Sequence, residues 1–399
     1  MSHVNRFRFG ATRFLLLIAL SAIGLVASTS APALALASGT WTLTGSMKGA
    51  REGQTATLLS NGQVLVAGGI DGSVTLASAE RYNPATGKWS ATGSMNTSRA
   101  GQTATLLPDG QVLVAGGFNE PVPGAFSYLS SAELYNPATG KWTVTGSMTT
   151  PRLGHTATLL PDGQVLVAGG EATVNGAPVI FSSAELYNPA AGTWTRTGRM
   201  NAARELHTAT LLTNGQVLVA GGYNDADPFN HSLASAELYN PATGSWALTG
   251  SLNAPRYGHQ AVRLANGQVL VVDGTDVSSA GTFNLNSTEV YNPATGTWTT
   301  TGTTFHGGNA PFSVTLLSTG KVLIAGGITG VYPNEHITSA AELYDPATST
   351  SAFTGSMNVA RNDQSATLLP NGQVLAAGGQ TTTSNGKTTD VASAELYTP

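Results

Sequence analysis

Gly62-Gln63-Val64-Leu65-Val66-Ala67-Gly68-Gly69 is the stretch that decides the fold. It recurs at Gly110 to Gly117, Gly163 to Gly170, Gly215 to Gly222, Gly267 to Gly274, Gly320 to Gly327 and Gly372 to Gly379. Copies roughly fifty residues apart have the spacing of propellers and solenoids. The typical copy is a short Val-rich run between an Asn-Gly or Asp-Gly turn and a Gly-Gly stop. A run this short, with glycines at both ends, reads as a strand buried on both faces rather than as a helix.

Working outward from one copy gives a full unit, Arg99 to Met148. Gln102 to Leu107 is strand a, and Pro108-Asp109-Gly110 is a hairpin turn in which Asp-Gly supplies positive φ. Gln111 to Gly117 is strand b, followed by a loop over Phe118 to Ser130. Ser131 to Tyr135 is strand c. Asn136-Pro137-Ala138-Thr139-Gly140 is a second turn, with Pro fixing φ and Gly closing it. Trp142 to Thr145 is strand d. A four-stranded sheet with two apolar faces cannot stand alone, and radial stacking buries both faces, the logic of a β-propeller. The repeating Tyr and Trp, such as Tyr135 and Trp142, are expected to pack between blades. The sixth unit has Ser351 at the Trp position, with Phe353 two residues on as the expected substitute.

Counting strands predicts how the ring closes. Thr40 to Thr44 is a lone strand d, and Ala394 to Tyr397 is a strand c with no d after it. The expectation is an all-β, seven-bladed propeller over 38–399, closed by the strand at 40–44 completing the last blade. Before it, Arg6, Arg8 and Arg13, the apolar run Phe14 to Val26 and the small-x-small site Ala35-Leu36-Ala37 describe a signal peptide over 1–37. The mature chain is therefore expected to be secreted, with no stable membrane insertion. Without the three leader arginines, 15 basic residues face 22 acidic ones, a mildly acidic balance with no basic cluster, which argues against nucleic acid. The chain has no Cys, so packing alone must hold it together.

Gly-Gly after strand b, Tyr in strand c and Trp in strand d, in this order and spacing, resemble the kelch repeat across essentially all of 40–399. Units such as Arg361 to Gly379 are similar to the propeller domain of the galactose oxidase family. The resemblance implies a kelch propeller; such propellers host oxidases, a sialic-acid mutarotase and many plain binding modules, so the fold alone does not fix the function.

Strand parity separates two faces. The a–b and c–d turns are short and nearly identical, whereas the b–c loops on the opposite, upper face are long and different. Varied loops on a rigid scaffold are where function usually sits. The d–a loops of the upper face each bring an arginine: Arg51, Arg99, Arg152, Arg204, Arg256 and Arg361, with Gly308 breaking the ring in the sixth position. One reading is a crown of guanidinium forks that bind carboxylates or sugar hydroxyls; in the galactose oxidase family an Arg in this motif position touches the sugar. The other is a structural pair with the strand-c glutamates (Glu80, Glu133, Glu185, Glu237, Glu289, Glu342, Glu395) that pins each loop. Three residues after each Arg stands Gln54, Gln102, His155, His207, His259 or Gln364. The three histidines are weak metal candidates, because the Gln in other blades suits a backbone hydrogen bond equally well. Asp225, Asp227 and Asp276 lack calcium-ligand spacing and read as solvated charge. The galactose oxidase family needs a Tyr cross-linked to Cys, which this chain lacks, so copper-radical chemistry is argued against and no cofactor is expected. The function expected is a secreted, non-catalytic module holding a carbohydrate or protein on the upper face. The alternatives are an enzyme acting on acidic sugars, as a kelch mutarotase does, and a purely structural envelope protein.

Overall fold

The computed structural model describes residues 39–226, 228–305, 312–330, 335–383 and 386–399. The leader expected over 1–37, Asp227 and Gly308 lie outside these residues. Seven four-stranded antiparallel sheets follow one another along the chain, each in the order a-b-c-d. In the second sheet the strands are Thr103–Leu106, Val112–Ala115, Ala132–Asn136 and Lys141–Val144. The register of strands b and c places Tyr135 opposite Val112, and that of c and d places it opposite Trp142. Strand b is buried along its whole length, as its unbroken apolar run requires.

The ring closes as the strand count predicts. Thr40–Leu43 is the outer strand of the last sheet, with Trp41 opposite Tyr397 and Leu43 opposite Glu395. The strand Ala394–Thr398 is therefore paired on both sides. Trp41 packs at 5.2 Å from the Tyr397 ring and into a cluster with Leu343 of the preceding blade.

Neighbouring blades are joined by the repeated aromatics. Each strand-c Tyr is fully buried, and its hydroxyl bonds a Thr on the outer strand of the preceding blade: Tyr82 to Thr44, Tyr135 to Thr92 and Tyr397 to Thr354, at 2.8–2.9 Å. Each strand-d Trp of the first five blades donates its indole N–H to a glycine carbonyl of the preceding d–a loop, as Trp142 does to Gly93 at 2.8 Å. Ser351 is buried in the Trp place of the sixth blade. Phe353 does not replace that Trp: it is 43 % exposed and stacks on Phe305 outside the seam. It lies opposite Glu342 rather than Tyr344, one pleat too far along to reach between the blades.

The two-face picture holds around the pore and bends at the rim. Among the described residues six d–a loops pair with the start of the b–c hairpin of the blade they enter, as Leu153 does with Glu171, so these two sets of connections share the upper face. At the periphery, blade twist carries each c–d turn against the preceding blade's d–a loop, where Gly146 N–H donates to the Gly192 carbonyl.

Candidate functional site

The six arginines are structural pins. Arg204 is fully buried; its Nη1 donates to the carbonyls of Gly221 (2.6 Å) and Ser235 (2.9 Å), and its Nη2 to Ser235 Oγ (3.0 Å) and Glu237 Oε1 (2.9 Å). Glu237 then accepts the backbone N–H groups of Asn201 (2.7 Å) and Ala202 (3.1 Å) in the loop that delivers Arg204. The other five pairs, Arg51–Glu80, Arg99–Glu133, Arg152–Glu185, Arg256–Glu289 and Arg361–Glu395, lie at 2.7–3.2 Å with both partners buried. Burial pulls each guanidinium below its ordinary value, and the adjoining glutamate works against that shift. Of the two readings of these arginines, the geometry is that of the structural pair rather than of an open crown: each described fork is buried against its own strand-c glutamate. In the sixth blade Glu342 accepts the Phe305 N–H at 3.0 Å.

The Gln and His that follow the arginines stitch the innermost strands together. Gln102 donates to the Ala67 carbonyl of the preceding blade at 2.9 Å, and Gln364 to the Ala325 carbonyl at 2.7 Å. His155, His207 and His259 place Nε2 at 3.1, 3.0 and 2.9 Å from the hydroxyls of Thr103, Thr156 and Thr208 in the same way. Each ring thus faces its own blade seam, and among the described residues no three His, Cys, Asp or Glu side chains come together as a metal set. Gly116 shows why this layer needs glycine: φ is +67°, and a Cβ there would stand 2.6 Å from His155 Cε1 and 2.8 Å from the Arg152 carbonyl.

These histidines carry a pH dependence. Burial, followed by the Arg152 charge, pulls His155 down to about 3; burial, followed by Arg256, does the same to His259, and His207 is held well below its usual range by burial and Arg204. The unfolded chain takes up these protons near pH 6.5 and the folded chain does not, so stability is complete above about pH 6.5 and falls below it. The slope is at most about 1.4 kcal/mol per pH unit per ring. Asp363 opposes it: burial and the Asp390 charge raise it to about 7, so its contribution is present at low pH and lost as pH rises toward 7. Urea midpoints should therefore fall from pH 7 to pH 5. The His155→Gln/His207→Gln/His259→Gln variant, which takes the residue present in other blades, should lose that fall. An equal fall in both proteins rules the assignment out.

Above the pore the b–c loops form a crown of two-stranded hairpins. Six of them are paired, among them Phe118–Asn119 with Ser127–Tyr128, Glu171–Val174 with Ala177–Ile180, and Thr275–Ser278 with Gly281–Asn284. In the fourth blade Tyr223 bridges Ser232. Straps join neighbouring hairpins. Thr75 Oγ1 accepts the Glu120 N–H at 2.9 Å, Tyr128 donates its hydroxyl to Glu171 Oε1 at 3.2 Å, Ser232 Oγ accepts the Val277 N–H at 2.7 Å, and Asp390 Oδ2 accepts the Gly72 N–H at 2.6 Å. Ala100, Phe118 and Leu153 form a small buried cluster beneath, with Phe126 and Tyr128 packed on it. The tips carry exposed apolar side chains on four successive blades: Val122 (58 % exposed), Val174 and Val179, Phe229 (66 %) and Phe283 (47 %). Among the described residues none of the a–b or c–d turns exposes a large apolar side chain. Asp225 is exposed at a tip, while Asp276 is half-buried and raised by that burial.

A family model described as the KLHDC2/KLHL20/DRC7 kelch-repeats domain matches residues 103–327, and a kelch motif model matches 54–96. The chain belongs to the kelch-repeat family. This kelch propeller is 34 % identical over 138 residues to the F-box/kelch-repeat protein At1g67480 of Arabidopsis thaliana, a match covering 34 % of the chain and 35 % of the plant protein. It is 29 % identical over 182 residues to beta-scruin of Limulus polyphemus, covering 44 % of the chain and 19 % of scruin. The matched stretch thus spans about a third or less of either relative. The plant relative is named for its repeats. A fungal alcohol oxidase of the AA5 family, solved in complex with copper, shares the fold at a TM-score of 0.68 and 18 % identity, over 90 % of this chain and 76 % of that one.

The Tyr cross-linked to Cys that the galactose oxidase family needs has no counterpart in this kelch propeller. There is no Cys anywhere in the chain, and the histidines nearest the pore have their Nε2 atoms on threonines. One departure from the repeat escaped sequence reading. Asp273 stands where the other blades have the first Gly of Gly-Gly, with φ +53° and its carboxylate buried. The next blade has Phe312 in the Gln/His place and Thr304 in the Met place, and Thr304 Oγ1 donates to Asp273 Oδ1 at 2.7 Å. Aligning the units position by position would have shown these exchanges clustering at one seam.

Proposed function

We propose that this kelch propeller is an exported binding module that holds a protein partner on the crown of b–c hairpins. The observation that carries the reading is the exposure of Val122, Val174, Val179, Phe229 and Phe283 on adjacent hairpins, against turns that expose no large apolar group. Interfaces draw their energy from a few such anchors, and straps between the hairpins reduce the ordering cost of binding. Carbohydrate, the other ligand expected from the sequence, finds less support: the arginine forks meant to hold it are buried. The kelch relatives favour binding over catalysis.

Immobilised wild-type protein, the upper-face variant Phe229→Ser/Phe283→Ser and the lower-turn variant Asp162→Asn separate the two faces. Proteins retained by wild type should be retained by Asp162→Asn and weakened about tenfold or more by the upper-face variant, since one hot-spot aromatic accounts for about 2 kcal/mol. Equal retention by all three would remove the crown from consideration, and retention of glycans instead of proteins would restore the carbohydrate reading. Export has its own check. Expression in a secreting host should give a chain whose amino terminus is Ser38, after cleavage behind Ala37; a secreted chain that still carries Phe14 to Val26 would contradict it.

A further inference from the structure

The crown has a sign as well as an apolar arc. Every one of its seven hairpins contributes a carboxylate: Glu171, which is buried, and Asp71, Glu120, Asp225, Asp276, Glu335 and Asp390, which are exposed or half-buried. Over the same seven segments Lys387 is the single Lys or Arg. The six arginines that reach this face do not offset the charge, because each is neutralised by its own strand-c glutamate inside the blade. The straps hold two of the outward-facing acidic positions in place. Glu120 is tied through its backbone to Thr75, and Asp390 is tied through its carboxylate to Gly72 and Gln380. The a–b and c–d turns, by contrast, mix Lys88, Lys141 and Lys321 with Asp109, Asp162 and Asp345.

We propose that the partner is a basic polypeptide segment, one that sets apolar side chains on the Val174–Phe229–Phe283 arc and lysines or arginines over the surrounding carboxylates. This rests on the protein-binding reading above and names the chemistry of its partner. Exposed ion pairs contribute little each, so the aromatic tips supply most of the affinity. The acidic ring supplies selection and encounter rate: an acidic or neutral segment meets repulsion or no attraction, and a basic one is drawn in, an effect that salt weakens.

The test pans a random peptide library displayed on phage against the immobilised full-length protein, and re-measures the enriched peptides as synthetic copies. Three proteins are compared: wild type, the neutralised variant Asp71→Asn/Asp225→Asn/Glu335→Gln, and Phe229→Ser/Phe283→Ser. The enriched peptides should be net positive. They should bind the neutralised variant at least fivefold more weakly, lose affinity between about 50 and about 300 mM NaCl, and fail on the tip variant. Neutral or acidic peptides that nevertheless fail on the tip variant would overturn the basic-partner inference and leave the crown as the binding face. Peptides that bind the tip variant as well as wild type would overturn the crown itself. A library that enriches nothing on wild type over a blocked surface would remove both.

Discussion

Replacing Arg204 by Ala should lower the stability of the propeller by about 3–5 kcal/mol, the range for removing one partner of a buried ion pair. The guanidinium donates four hydrogen bonds in a place with no access to water, and its loss leaves the Glu237 carboxylate and the carbonyls of Gly221 and Ser235 buried without it. Glu237 also holds the Asn201 and Ala202 N–H groups, so the d–a loop between the third and fourth blades loosens with it. The double variant Arg204→Met/Glu237→Met should recover part of the loss, because the uncompensated charge is gone, but not all of it, because the loop N–H groups are then orphaned. Urea unfolding of the two singles and the double measures this as a coupling energy. An Arg204→Ala midpoint equal to wild type would mean the guanidinium is not buried against Glu237 at all.

Much of the chain's buried charge is concentrated in six repeats of this pin. Each d–a loop crosses from an outer strand to an innermost one, over the upper edge of a sheet whose strand-c and Gly-Gly carbonyls need donors. One Arg reaching both the carbonyls and the Glu satisfies them together. The cost of burying the charge is offset by its four acceptors, and the pin fixes the base of each crown hairpin relative to its blade.

The repeat unit, the blade count and the closing strand were legible because they rest on periodicity and on Gly, Pro and Trp positions, which chain-local rules translate directly. Tyr135 and Trp142 stand opposite each other, as their spacing across the Asn136–Gly140 turn requires. The arginines were only half legible. Their partners could be named from strand parity, but whether a guanidinium at a loop end faces the pore or the blade depends on how deeply the loop seats, and Arg204 and Glu237 lie 33 residues apart. Phe353 misled because sharing a strand face with Ser351 does not put it at the same depth of the seam. The hairpin straps, such as Asp390 to Gly72 across 318 residues, leave no local signal. Neither does the pairing inside polar segments such as Gln380–Thr382 with Thr388–Asp390.

The strand at Thr40–Leu43 completes the last blade and so holds seven blades in one ring. Without it, the strand Ala394–Thr398 becomes an open edge, Tyr397 loses its cover, and the Trp41 side chain no longer fills the cluster around Leu343 and Met357. Loss of a buried Trp alone costs about 3–5 kcal/mol, and an exposed strand edge invites association between chains. The deciding measurement is urea unfolding of a chain starting at Ser38 against one starting at Gly45, the second with and without a synthetic peptide spanning residues 38–44. The shorter chain should unfold at markedly lower urea or aggregate, and the peptide should restore its midpoint. A shorter chain as stable and as cooperative as the longer one, and indifferent to the peptide, would contradict the ring.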